Sequence, residues 1–318
     1  MQSSRSAATP PDYSIAVPFH NEEGGIEPFF ERLVPILEQL DGTYEIVCVD
    51  DGSSDGTLAA LLEAQQGNPA IVVLELSRNF GKEAALTAAL DHALGRAVIP
   101  IDADLQDPPE LIPRMVTAWK EGYDVVFAQR TTRKSDTIAK QWTATWFYRA
   151  FNAISDISLP ANVGDFRLMD RRVVNALQRL GERNRFMKGL FAWVGFRHTS
   201  VSFDREPRIT GRSKWNYWKL WNFAIDGFLA FSSAPLRIWS YMGACVSLVA
   251  FCYASFLILR TLFFGVDVPG YASIMVVVLF LGGVQLIGLG VMGEYLGRVF
   301  EEVKQRPVYL IRERHRVE

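Results

Sequence analysis

Carboxylates gather at two places in this 318-residue chain: Asp50-Asp51-Gly52-Ser53-Ser54-Asp55-Gly56, and Ile101-Asp102-Ala103-Asp104-Leu105-Gln106-Asp107-Pro108-Pro109. Adjacent like charges raise each other's pKa unless something binds them, so Asp50 and Asp51 point to a ligand. Their oxygens suit ribose hydroxyls and the imide N–H of a pyrimidine, and the glycines let the backbone turn beside it. Asp55 has a plainer reading, as a cap on the helix that follows. In the second cluster, side chains two apart at an extended strand end point the same way, so Asp102 and Asp104 are expected to converge on one hard divalent cation. Mg²⁺ or Mn²⁺ takes a few carboxylates plus phosphate oxygens and waters, and would hold a diphosphate as charge builds on it.

Both clusters need a scaffold, and the flanking residues supply one. Apolar β-rich runs (Ser14–Phe19, Glu45–Val49, Ile71–Leu76, Ala97–Ile101, Asp124–Ala128) alternate with segments of helical length and spacing (Ile26–Leu40, Thr57–Gln66, Lys82–Leu94, Glu110–Lys120). That alternation predicts an α/β domain, a Rossmann-like and mostly parallel sheet covered by helices on both faces. Ligands of such sheets sit outside the carboxyl ends of the strands, where the acidic motifs fall.

After position 235 the composition changes. Ile238–Leu259 and Val268–Gly293 carry no charge, and each has the roughly 20 apolar residues a bilayer core requires. They predict a two-helix transmembrane hairpin. Arg237 precedes it and Arg298, Lys304, Arg306, Arg312, Arg314 and Arg316 follow, while the connecting turn holds only Arg260 and Asp267. By the positive-inside rule both ends face the cytoplasm. Met1–Pro11 is polar and lacks the apolar core of a secretory leader, so a disordered tail is expected there. The net charge of -2 argues against general nucleic-acid binding. Three cysteines without pairing geometry fit a reducing compartment.

Val17-Pro18-x-x-Asn21-Glu22, Asp50-Asp51-Gly52-Ser53-x-Asp55-Gly56-Thr57 and Asp102-Ala103-Asp104-Leu105-Gln106-Asp107-Pro108-Pro109 together resemble the family 2 glycosyltransferases of GT-A fold. Within them the chain looks like the polyprenyl-phosphate glycosyltransferases, relatives of dolichyl-phosphate mannose synthase; bactoprenol glucosyltransferases and aminoarabinose-type transferases share the layout. The resemblance spans about residues 13 to 306, through Gly293-Glu294-Tyr295-Leu296-Gly297-Arg298. It implies that Pro18, Asn21, Glu22, Asp50 and Asp51 bind the donor, with Asp51 on the uracil and Asp50 beside the nucleoside. It implies a metal held by Asp104 and Gln106 with Asp102, and Arg130 facing the phosphates. Asp165, in Val163-Gly164-Asp165-Phe166-Arg167-Leu168, becomes the candidate general base or acceptor-positioning group. Plainer readings stand beside these: Arg130 pairs with a surface carboxylate, and Asp165 pairs with Arg167 or caps a helix starting near Asp170.

Arg212, Ser213 and Lys214 precede an aromatic run, Trp215, Tyr217, Trp218, Trp221, Phe223, Phe228 and Phe231. Aromatics beside basic groups suit the headgroup layer, where these residues would meet a lipid phosphate. Lys134–Phe151 has the same character. His20, His92, His198 and His315 show no metal spacing, and the glycines of the second span permit close helix approach, within the hairpin or in a homo-oligomer. The expected organisation is a tail over residues 1–12, the GT-A catalytic domain over 13–212, an interfacial amphipathic region over 213–235, the transmembrane hairpin over 236–298 and a cytoplasmic tail over 299–318. The expected activity is inverting transfer of a hexose, glucose first, from a UDP-sugar to polyprenyl (undecaprenyl) phosphate at the cytoplasmic face of the plasma (inner) membrane. Another sugar, of formamido-arabinose or N-acetylhexosamine type, and a catalytically silent nucleotide-sugar-binding protein are the alternatives. A processive synthase is disfavoured, because no Q-x-x-R-W motif is present.

Overall fold

The computed structural model describes residues 9–130, 163–183, 185–203, 234–264 and 270–315. The expected interfacial helix at Lys134–Phe151, the Arg212-Ser213-Lys214 motif with its aromatic run, and most of the expected N-terminal tail lie outside these residues.

The core is one sheet in the order β7-β5-β6-β4-β1-β2-β3-β8. Its strands are β1 (Tyr13–Phe19), β2 (Tyr44–Asp50), β3 (Ile71–Leu76), β4 (Ala97–Pro100), β5 (Val125–Arg130), β6 (Val163–Asp170), β7 (His198–Phe203) and β8 (Ile311–His315). Only β6 and β8 run against the rest. The helices are α1 (Ile26–Glu38), α2 (Thr57–Gly67), α3 (Lys82–His92), α4 (Ile112–Lys120), α5 (Arg171–Gln178), α6 (Met187–Trp193), α7 (Ala234–Phe264) and α8 (Tyr271–Lys304). The five strands and four helices expected from the first 130 residues are all present, with no end shifted by more than two residues.

Side-chain alternation along the strands divides the core into two layers. Ile15, Val17, Phe19, Ile46 and Cys48 face the side covered by α1, α2 and α4, whereas Ala16, Val47 and Val49 face α3, α5 and α6. On α1 the buried positions Ile26, Phe29, Phe30, Leu33 and Leu37 recur at helical spacing, the single apolar stripe of a helix lying on a sheet. Helix α3 instead buries Ala84 through Leu90 in succession. Its alanines let it lie close to the sheet while α5 and α6 cover its other side.

Pro18 occupies a central strand yet breaks no ladder. Ala16 accepts from Ile101 and Phe19 accepts from Asp51, so position 18 faces the β4 side, where β4 has ended at Pro100. A missing N–H costs nothing there.

The C-terminal segment is not a free tail as expected from the sequence. Helix α8 runs on to Lys304 and the chain returns as β8, antiparallel to β3. Gln65 donates to the His315 carbonyl at 3.0 Å and Arg312 pairs with Glu75 at 2.9 Å. This return covers an edge of β3 that would otherwise expose unpaired backbone groups. Two long helices stand where the hairpin was expected, and Phe280–Lys304 of α8 is long and apolar enough to cross a membrane. Leu286, Ile287 and Leu289 on it are each at least 60% exposed, an apolar surface that needs a nonaqueous neighbour. Gly288 of α8 faces the Trp239 ring of α7, where an added Cβ would sit in ordinary contact at 3.6 Å. Cys48 is buried in β2, and Cys245 and Cys252 are free on α7.

Candidate active site

The carboxyl ends of β1, β2, β3 and β4 meet at one edge, and the acidic motifs lie in the loops that leave them. Asn21 adopts φ 53°, a left-handed conformation that Asn tolerates better than most residues. Its side-chain oxygen accepts from Ser54 N at 2.8 Å, and its own N–H donates to Ser53 Oγ at 3.0 Å. Glu22 N donates to Thr57 Oγ1 at 2.9 Å. Asn21 and the Glu22 backbone thus clamp the β1 exit to the β2 exit and hold the shape of the site. Asp55 accepts from Thr57 N at 3.1 Å and Thr57 Oγ1 at 2.6 Å, a local turn one residue ahead of the helix N-cap, which falls at Gly56, rather than the cap expected of it.

The two adjacent aspartates part company. Asp51 accepts from the backbone N–H of Phe80 at 2.7 Å and of Gly81 at 2.9 Å, so its carboxylate fixes the loop between β3 and α3. Burial pushes its pKa up while those two N–H groups pull it back, with a net rise. Asp50 is 2% exposed, and its Oδ1 has no hydrogen-bond partner among the described residues. His20 packs beside Asp51, its Nδ1 3.0 Å from the Asp51 carbonyl and its ring within 2.9 Å of Asn79 Nδ2. Sequence spacing alone gave His20 no role.

Gly52 makes this packing feasible. With φ +59°, any Cβ there would come within 2.5 Å of the Arg78 carbonyl carbon and 2.6 Å of Asn79 N. Gly52→Ala is expected to destabilise the protein by about 2–4 kcal/mol, combining backbone strain with forced movement of the β3–α3 loop. Thermal unfolding of the detergent-solubilised protein reads this directly.

At the second acidic cluster the geometry departs from the expected one. Strand β4 ends at Pro100, before the motif, and Leu105 turns the chain at φ 54°. Asp102 and Asp104 therefore do not share a strand face. Asp104 Oδ1 accepts from Gln106 N at 3.2 Å, while Asp102 faces Lys82, whose Nζ lies 2.7 Å from Asp102 Oδ1. Gln106 is 8% exposed, and its side-chain oxygen is buried without a partner among the described residues.

Asp165 reaches this cluster from strand β6. The antiparallel pairing Ala97↔Asp170 and Val98↔Met169 lays β6 beside β4, so Asp165 comes to the edge where the loop carrying Asp102 leaves β4. Lys82 Nζ bridges the two, 2.8 Å from Asp165 Oδ2. Of the plainer readings of Asp165, helix capping is not seen, and the tie to Arg167 runs through the Asp165 carbonyl, which accepts from Arg167 Nε at 3.3 Å, with the Arg167 charge also acting on the carboxyl. Asp170 caps the next helix by accepting from Arg172 N at 2.9 Å, and Arg167 turns its guanidinium to the Gly164 carbonyl at 2.7 Å and stacks 3.9 Å from the Phe191 ring. Burial works against charge on Asp165, but Lys82 and Lys188 outweigh it and hold the carboxyl far below the usual range. Lys82, in turn, is disfavoured by its partly desolvated place in the cleft, yet Asp165 and Asp102 hold its ammonium well above the ordinary lysine value. Arg130 ends β5, paired with Phe203 of β7.

Lys82 was legible in the sequence only as the first residue of a helix. Its neighbour Glu83 was equally silent. Burial, reinforced by the Asp165 charge, pushes Glu83 from 4.5 up to about 7, and it accepts from Met187 N at 3.3 Å. Because the folded state holds this proton after the unfolded chain has released it, stability falls as pH rises from about 4.5 to about 7. Glu83→Gln keeps the acceptor and removes the charge. Its advantage over the parent is expected to be near zero at pH 4.5 and to grow to about 2 kcal/mol at pH 8, seen as a melting-temperature gap that opens with pH.

The α/β domain is tied to the end of the helical hairpin. Glu302, near the end of α8, accepts from Arg183 N at 2.8 Å, and Tyr309 donates to Asp91 on α3 at 2.9 Å.

Comparison with known proteins agrees with this architecture. Residues 14–178 match the model of glycosyl transferase family 2, and residues 234–299 match that of the GtrB C-terminal hairpin. An uncharacterized glycosyltransferase of Synechocystis is 61% identical over 300 residues, covering 94% of each chain. A prophage-derived bactoprenol glucosyl transferase of Shigella flexneri is 49% identical over 303 residues, 95% of this chain and 98% of that one. A prophage bactoprenol glucosyl transferase homolog of Escherichia coli is 49% identical over 300 residues, 94% and 98% of the two chains. With its α/β sheet, acidic loops at one edge and a C-terminal helical hairpin, the chain belongs to glycosyl transferase family 2 and is a glycosyltransferase of GT-A fold.

Proposed function

We propose that the enzyme transfers glucose from UDP-glucose to polyprenyl phosphate, with inversion, at the cytoplasmic face of the inner membrane. The observation that carries this reading is the 49% identity, over 95% of the chain, to a relative named bactoprenol glucosyl transferase. The geometry supports it: the α/β domain and the end of the apolar hairpin are joined by the Glu302–Arg183 and Tyr309–Asp91 hydrogen bonds. Because the chain returns from α8 into the sheet as β8, the far end of the hairpin comes back to the catalytic domain, as a two-span anchor requires.

In the reaction an oxygen of the acceptor phosphate attacks the anomeric carbon. The bond from that carbon to the UDP oxygen breaks, UDP departs, and the product is a polyprenyl-monophosphate sugar. Asp50, with its unpartnered buried oxygen, receives the nucleoside, and Asp51 shapes the pocket by holding Phe80 and Gly81. Asp102, Asp104 and Gln106 supply hard oxygen donors, one of them a buried carbonyl lacking a hydrogen-bond partner among the described residues, and this set fits Mg²⁺ or Mn²⁺. When bound there, the cation would neutralise charge on the departing diphosphate. Arg130 contributes positive charge at the phosphates. Arg212, Ser213 and Lys214 take the lipid phosphate.

Asp165 works as a fixed carboxylate. A group held so far below neutrality is a weak base, and none stronger is required, since a phosphate monoester has its second pKa near 6 and reaches the site already anionic. Asp165 orients Lys82 and the acceptor and offsets positive charge growing at the anomeric carbon.

Purified enzyme given radiolabelled UDP-glucose, undecaprenyl phosphate and Mn²⁺ is expected to make a chloroform-soluble labelled lipid. A panel of UDP-sugars identifies the donor, and labelling only with an N-acetylhexosamine or a formamido-arabinose donor moves the assignment to that sugar. Nucleotide binding without any labelled lipid overturns the reading and leaves a binding protein.

A further inference from the structure

Two carboxylates from different parts of the chain, Asp102 in the loop after β4 and Asp165 on the neighbouring strand β6, come to the same edge of the sheet, and one cation stands between them. Lys82 Nζ lies 2.7 Å from Asp102 and 2.8 Å from Asp165. Its side chain remains 43% exposed, so the bridge borders the open cleft. The position does nothing for helix stability, because a cation in the first turn opposes the helix dipole. It is nonetheless rigidly defined. Gly81 precedes it at φ 97°, the Gly81 carbonyl accepts from Ala84 N at 3.0 Å and Ala85 N at 3.1 Å, and the Asp51 carboxylate holds the Phe80 and Gly81 N–H groups. One side of the acidic edge therefore positions the charge that neutralises the other.

We propose that Lys82 is an exchangeable internal counter-ion: before the donor arrives its ammonium occupies the Asp102 side of the divalent-cation site, and cation entry moves it off Asp102 while it keeps Asp165. The proposal rests on the metal-dependent donor site described above. A divalent cation at Asp102 and an ammonium at the same carboxylate repel each other, so the two compete for it. The released N–H donor turns toward the diphosphate oxygens that come with the cation. Cation and nucleotide binding are thereby coupled: the cation alone must displace Lys82, whereas cation and diphosphate together give Lys82 a new partner. Lys82 is thus a positioning residue whose work is to keep the empty site from holding a bare cation.

The test reads Mn²⁺ affinity by electron paramagnetic resonance on the full-length protein in detergent, with and without UDP. Lys82→Met is expected to bind Mn²⁺ alone about tenfold more tightly than the parent, the size of one removed charge competitor near a protein surface. The tightening of Mn²⁺ binding by UDP is expected to shrink by a similar factor, and turnover to fall. Lys82→Gln is the second variant, and each is checked by its melting curve. Mn²⁺ affinity that is unchanged or weaker in the folded variants overturns the proposal. A parent that binds no Mn²⁺ even with UDP overturns the metal reading itself, and with it this inference. A parent that binds Mn²⁺ and UDP but makes no lipid-linked sugar overturns only the assigned reaction.

Discussion

Asp104→Asn is expected to reduce sugar transfer by about a thousandfold, the usual consequence of removing a group that stabilises charge on a departing oxyanion. Asn keeps the volume and one acceptor, so the Gln106 N–H that Asp104 holds at 3.2 Å remains served and the turn around Leu105 survives. What disappears is the charge offered to a divalent cation. Initial rates with UDP-glucose and undecaprenyl phosphate at saturating Mn²⁺, alongside a melting curve, separate the two. Asp55→Asn is the contrast. Asp55 accepts from Thr57 in the turn before α2, and its replacement should cost under about tenfold, through stability alone. Equal losses at the two positions would argue against a metal role for Asp104.

Asp165→Asn is the second large effect, a loss of about a hundredfold in kcat. The variant leaves Lys82 without its Asp165 counter-charge, so the ammonium settles on Asp102 and blocks that carboxylate. If Asp165 acts as a fixed charge, the pH profile of the residual activity keeps the parent's shape, governed by the acceptor phosphate titrating near 6. If it takes a proton in the rate-limiting step, the rise of rate with pH disappears in the variant. The first result is expected, because Lys82 and Lys188 hold the Asp165 carboxyl low.

Several features were legible because they depend on local spacing. The alternation of β-rich and helical runs placed β1 through β5 and their helices to within a few residues. Asp50-Asp51-Gly52 and Asp102-Ala103-Asp104 fell at the carboxyl edge because parallel strands all deliver their loops there. The charge-free runs located α7 and α8. The C-terminal helical hairpin was readable because length and composition alone define such a segment.

Other features were invisible for a physical reason. Asp102 and Asp104 would share a strand face only if β4 reached them, yet β4 stops at Pro100 and Leu105 adopts a left-handed turn, which composition does not announce. Adjacent residues Asp50 and Asp51 looked equivalent. Only packing against the β3–α3 loop made one a scaffold and left the other with an unpartnered oxygen. The segment after Lys304 read as a charged tail, because no local signal says that a short strand will find the open edge of β3.

The sequence by itself determined the class of the protein: an α/β domain with acidic strand exits, followed by an apolar hairpin, since periodicity and composition are properties of neighbouring residues. Tertiary structure alone decided which charges meet. Lys82 and Asp165 are 2.8 Å apart, yet one opens a helix and the other lies on an antiparallel strand added to the far side of β4. Sheet order and register bring them together, and both are set by the packing of two core layers rather than by any pattern along the chain.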